Sequence, residues 1–228
     1  VPEEQKFKGD QKVPLVSPLA AGERRIIQYL IPRMPRWIEG YQLTLLTIPW
    51  SAGLLLAGYL ARGRLNWLWL ASAMLFLQWL TDSLDGALGK YRDFGIPKWG
   101  YYMDHLLDYG FMSAALGGYA ILFDGRERTL WLVLIPVFGG FMVNSYLSFA
   151  ATSEFKITFM GTGPTESRLA LVILNTCIIA FGTGFVETAL PWAPYVLGSA
   201  LIIIVYRTQR HIWQVDMEDK RRRVESGG

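Results

Sequence analysis

The chain has 228 residues, of which 52% are hydrophobic, 14% aromatic and 18% charged, and its formal net charge is +3. That length bounds it to one domain, and the apolar share is too high for an ordinary soluble one. The single cysteine, Cys177, excludes an intrachain disulfide and, set inside an apolar run, reads as a packing residue.

In chain order, residues 1–22 form a polar N-terminal segment, VPEEQKFKGDQK at its start, and no cleavable leader is expected there. Residues 23–38, ERRIIQYLIPRMPRWI, alternate arginine with Ile, Leu and Trp at helical spacing. They predict an amphipathic helix on the membrane surface, its arginines toward lipid phosphates. Six apolar stretches follow at roughly 41–61, 66–88, 103–123, 129–150, 167–186 and 189–207, each near the length that crosses a bilayer. The expected fold is an all-α integral membrane protein, with a six-helix catalytic domain over 39–207 and a basic tail over 208–228.

The basic residues predict the orientation. Of the 22 lysines and arginines, only Arg62, Arg64, Arg126 and Arg128 fall on one side of such a bundle. The rest lie in the N-terminal segment, the second and fourth loops and the tail, which assigns both termini to the cytoplasm. No repeat or second domain is visible.

Between the second and third stretches stands TDSLDGALGKYRDFGIPKWGYYMDHLLD, residues 81–108. Asp82 and Asp85 are three apart and Asp104 and Asp108 four apart, so each pair shares a helix face. The loop DFGIPKWG holds two glycines and a proline, so the chain turns and the two acidic faces can converge. Solvated loop acids, of which Asp93 is an example, are the plain alternative. These four, however, are set into apolar flanks, where a carboxylate is expensive. Four such groups cannot all stay ionised without cations between them, and oxygen ligands favour Mg²⁺, Mn²⁺ or Ca²⁺ over zinc or copper. Gly86 and Gly89 leave the helix surface bare, either for close helix packing or for a ligand, and Lys90 beside them favours one bearing phosphate.

Asp82-Ser83-Leu84-Asp85-Gly86, Gly89-Lys90 and Gly100 to Asp108 together resemble the signature of the CDP-alcohol phosphotransferases. That signature reads D-x-x-D-G-x-x-A-R and, after a short gap, G-x-x-x-D-x-x-x-D. PRMPRWIEGYQLTLL before the first stretch is similar to the family's P-x-W-x-x-P-N-x-x-T segment, with Thr44 matching. There are two departures. Gly89-Lys90 stands for the family's Ala-Arg, which keeps a positive charge but loses the bidentate fork. Gly40-Tyr41 stands for Pro-Asn.

The resemblance implies attack of an acceptor hydroxyl on a CDP-alcohol, with release of CMP. It implies Asp82, Asp85, Asp104 and Asp108 as ligands of two Mg²⁺ ions (Mn²⁺ as a substitute), and Gly86, Gly89, Lys90 and Thr44 as nucleotide and phosphate contacts. Asp108 would complete the metal shell or take the acceptor's proton; His105 is the rival base, or otherwise a packing histidine. The implied partners are a CDP-alcohol donor, a lipid or alcohol acceptor, membrane lipids and a second copy in a homodimer, with no nucleic acid. A second run, FKITFMGTGPTESRL at 155–169, reads first as a turn and helix start. Its GPTE, with His105, resembles the choline and ethanolamine phosphotransferase branch, which makes Glu166 and Arg168 candidate substrate contacts. That tips the donor slightly toward CDP-choline or CDP-ethanolamine with diacylglycerol, against CDP-diacylglycerol with a polar alcohol. From other classes, a cation transporter using the aspartates and a non-catalytic scaffold are the competing readings.

Overall fold

The computed structural model describes residues 20–92, 96–152 and 164–226. Asp93, the polar segment through residue 19, and residues 155–163 of the second run lie outside them.

The described residues form helices without strands. The surface segment begins as α1 (Ala20–Leu30), which exposes Ile26 and Tyr29 while Ile27 and Leu30 pack on the cluster of Ile31, Leu43, Leu84 and Leu88. The stretch after it is pinned by Arg92, whose guanidinium donates to the carbonyls of Met34, Pro35, Arg36 and Ile38. A charge-assisted fork on consecutive carbonyls orders a segment that has little helix of its own.

The first expected span is two abutting helices, α2 (Gly40–Leu45) and α3 (Thr47–Ala61). α4 (Leu68–Arg92) and α5 (Pro97–Leu122) cover the second and third, and Pro97 opens α5 where its fixed φ suits the first turn. α6 (Gly125–Thr152) and α7 (Pro164–Phe181) follow, then α8 (Gly184–Ala189) and α9 (Ala193–Ser226). α9 runs through residue 207 unbroken, so the basic tail is a continuation of the last helix. Gly125 at φ 57° turns the chain into α6 and Gly182 at φ 79° ends α7, conformations that favour glycine.

Among the described residues, three segments are long and apolar enough to cross a membrane: Gly40–Ala61, Gly125–Thr152 and Gly184–Glu225. α4, α5 and α7 occupy the other three expected positions and carry the polar residues that gather in the site. By length and composition, three of the six expected spans are candidates among the described residues.

α3 packs on α4 and α5, α5 on α6, α6 on α9, and α4 on α7. The α3–α5 approach is backbone to backbone: a Cβ on Gly58 would fall 2.1 Å from the Gly118 carbonyl oxygen. Across the core, Tyr119 donates to Asn175 Oδ1 at 2.7 Å and Asn175 Nδ2 to Ser72 Oγ at 3.1 Å, linking α5, α7 and α4. Such bonds in a membrane core contribute about 0.6 kcal/mol each. At the other end of the bundle, Asp124 takes hydrogen bonds from Arg62 and Arg128. The Arg62 bond, with the charges of both arginines, holds this exposed carboxyl below its usual range.

Candidate active site

The apolar run of α4 ends at Thr81, and its last turns carry Asp82 and Asp85. On α5, Asp104 and Asp108 fall on successive turns of one face. Their convergence unites Asp82, Asp104 and Asp108: one carboxylate oxygen of each lies within 4.8 Å of the others. All three residues are partly buried. Asp85 stands outside that trio. Its Oδ2 accepts from Thr44 Oγ1 at 2.6 Å, and its Oδ1 is bonded by the Gly86 amide. Sequence spacing predicts a quartet; the structure brings three together and keeps the fourth beside them on a tether.

That tether is made by α2. A Cβ on Gly40 would lie 2.9 Å from the Asp85 carbonyl oxygen, so the glycine lets α2 sit against α4 and bury Thr44. Thr44 thus meets Asp85.

Gly86 and Gly89 are unlike the glycines of the α3–α5 contact. An added Cβ would meet nothing within 4 Å at either, so among the described residues no side chain or backbone covers this face of α4. Helix packing does not account for them. Lys90 is exposed at the same end of α4.

Arg168, at the start of α7, is buried. Its guanidinium lies 2.9 Å from Asp82 and 3.5 Å from Asp108, bridging α4 and α5. Glu166, two residues earlier, is partly buried. His105 packs between Tyr101 and Tyr146, at ring distances of 4.2 and 4.8 Å, and its Nδ1 is 2.7 Å from the Tyr101 carbonyl. A carbonyl oxygen only accepts, so Nδ1 carries the proton and Nε2 is the basic nitrogen of the neutral ring.

Two residues escape the reading of the sequence. Gln78, one turn before Asp82, is 1% exposed and donates from Nε2 to Asp108 Oδ1 at 3.2 Å. A lone amide in an apolar run was the available signal. Glu23 on α1 accepts from Ser83 at 2.9 Å and from Thr165 at 3.2 Å, clamping the surface helix to α4 and α7. Nothing in the sequence pairs residues so far apart.

The trio fits a divalent cation. Three carboxylates face one guanidinium, an excess of negative charge in a partly buried site, and every donor is a hard oxygen.

The family model for CDP-alcohol phosphatidyltransferases matches residues 41–205. The chain belongs to this family, whose members are transferases of substituted phosphate groups acting in phospholipid synthesis. With its apolar helices, membership makes it an integral membrane protein. Comparison with curated proteins and with solved structures found no match.

Proposed function

We propose that the protein transfers a substituted phosphate from a CDP-alcohol to an acceptor hydroxyl, releasing CMP, with Mg²⁺ as cofactor. The observation that carries this reading is the Asp82–Asp104–Asp108 trio, with the Gly86–Gly89 face of α4 next to it left clear by the described residues. Asp82, Asp104 and Asp108, with Asp85 adjoining, would hold two ions, and Mn²⁺ would substitute. When bound, such ions neutralise the diphosphate and the departing CMP.

The chain's own residues do the rest. The bare face at Gly86 and Gly89 admits the nucleotide, Lys90 offers a charge to the phosphates, and Thr44 orients Asp85. Arg168 balances the cluster and, with Glu166, borders the substrate. The acceptor's proton goes to Asp108 or to His105 Nε2.

On this reading α4, α5 and α7 complete a six-helix membrane domain, and the split of basic residues supports a cytoplasmic site and termini. The expectation of a homodimer rests on the family resemblance alone. For the substrate, His105 and Thr165-Glu166 tip the balance to CDP-choline or CDP-ethanolamine with diacylglycerol; CDP-diacylglycerol with a polar alcohol is the alternative. Membership of a transferase family favours an enzyme over a cation transporter.

The test is CMP release by purified protein across CDP-diacylglycerol, CDP-choline, CDP-ethanolamine and CDP-inositol-type donors. Turnover should require Mg²⁺ or Mn²⁺, with Zn²⁺ unable to replace them. CMP release undiminished in excess chelator would overturn the metal-dependent mechanism.

A further inference from the structure

We infer that Gln78 is a positioning residue that fixes which oxygen of Asp108 is presented to the reaction. The inference rests on the proposed role of Asp108 as metal ligand or base.

A glutamine in an apolar membrane helix is costly unless its amide is used. Gln78 is 1% exposed, as deeply placed as Leu75 and Leu88 on the same helix. It sits four residues before Asp82, on the face that α4 turns to the site. Its Nε2 meets Asp108 Oδ1 at 3.2 Å, while its Oε1 has no hydrogen-bond partner among the described residues.

Asn175 shows what a structural amide looks like in this protein. It is 0% exposed and uses both ends, accepting from Tyr119 and donating to Ser72. Gln78 uses one end, and that end is on a carboxylate of the trio. A leucine or methionine would fill the same space without leaving a buried acceptor unpaired, so packing alone does not explain an amide here.

The geometry also says which atom is controlled. Arg168 approaches the same oxygen, Asp108 Oδ1, at 3.5 Å. With Oδ1 held by donors from α4 and α7, Asp108 Oδ2 is the oxygen offered to a cation or a proton. The two donors differ in reach. Arg168 also binds Asp82 and so ties two carboxylates together, whereas Gln78 acts on Asp108 alone. Partners that orient ligands in this way typically govern metal affinity or activity by about 10- to 100-fold.

Gln78→Met keeps the volume and removes the donor. Gln78→Asn keeps the amide but withdraws it by one methylene, and serves if the methionine variant does not fold. Thermal unfolding in detergent identifies folded protein, Mn²⁺ binding is read by electron paramagnetic resonance without substrate, and CMP release gives kcat and KM. Each folded variant should bind Mn²⁺ about 10- to 100-fold more weakly, lose kcat by a similar factor and keep the donor KM within about threefold. In an Asp108→Asn background, Gln78→Met should add no further loss of Mn²⁺ affinity, since the partner it positions is gone. Wild-type kcat and Mn²⁺ affinity in either folded variant would overturn the inference. So would a full additional loss in the Asp108→Asn background. Absence of metal-dependent CMP release from the unsubstituted protein would instead overturn the underlying reading, and the inference with it.

Discussion

Asp82, Asp85, Asp104 and Asp108 look equivalent in the sequence, yet the structure gives them different surroundings. Asp82 and Asp108 share Arg168, Asp104 adjoins His105, and Asp85 is held by Thr44. Replacing Asp82, Asp85 or Asp104 by Asn should each lower turnover more than about a hundredfold in protein that remains folded in detergent. Near-normal turnover in Asp82→Asn or Asp104→Asn would exclude a shared metal site. Near-normal turnover in Asp85→Asn alone would confine the ligands to the trio. Comparing Asp108→Asn with His105→Ala assigns the proton. The aspartate variant is the more damaged if Asp108 is the base; the reverse order moves the role to His105, whose Nε2 has the required lone pair.

At the scale of elements, the helix pairs were legible because their acids recur at helical spacing and the loop between them must turn. What spacing cannot supply is the third partner. Arg168 stands 86 residues from Asp82, and Glu23 stands 142 from Thr165, so only the packed helices bring them together. Glycines show the same limit. Gly58 and Gly86 both lie in helices near apolar residues, and composition alone allows either to pack or to bind. In the structure Gly58 touches the Gly118 backbone, while no other described residue comes within 4 Å of a Cβ on Gly86. Gly58→Ala should therefore separate α3 from α5 and destabilise the fold by about 1–3 kcal/mol or more, the range for overpacking. Gly86→Ala should leave thermal stability intact, since alanine is the better helix former. It should instead raise the donor KM, on the order of tenfold for one lost close contact, equivalent to about 1.4 kcal/mol. A wild-type KM in Gly86→Ala would remove the nucleotide from that face.

For the molecule as a whole, α9 carries the last expected span and most of the basic tail in one helix. Its 34 residues run about 51 Å at the usual helical rise, well beyond a hydrocarbon core of about 30 Å. The charged end continues the same helix, because Arg, Gln, Glu and Lys are good helix formers whatever the solvent. The class of reaction was legible from one signature, since metal and diphosphate chemistry needs those carboxylates in one place. The alcohol was not, because that signature holds no residue that chooses between donors. Tyr101 illustrates this: an aromatic face can hold a quaternary ammonium, but here that ring packs on His105 and Phe149. Tyr102, by contrast, is exposed, as an interfacial aromatic would be. The case for an aminoalcohol donor rests on His105 and on Thr165-Glu166. Labelled CDP-choline or CDP-ethanolamine, supplied with diacylglycerol, should give labelled phospholipid and CMP in equal amounts. If label enters lipid only when CDP-diacylglycerol is paired with a soluble alcohol, the direction of transfer is reversed. The lipid then rides on the nucleotide, and Arg168 and Glu166 border a polar acceptor.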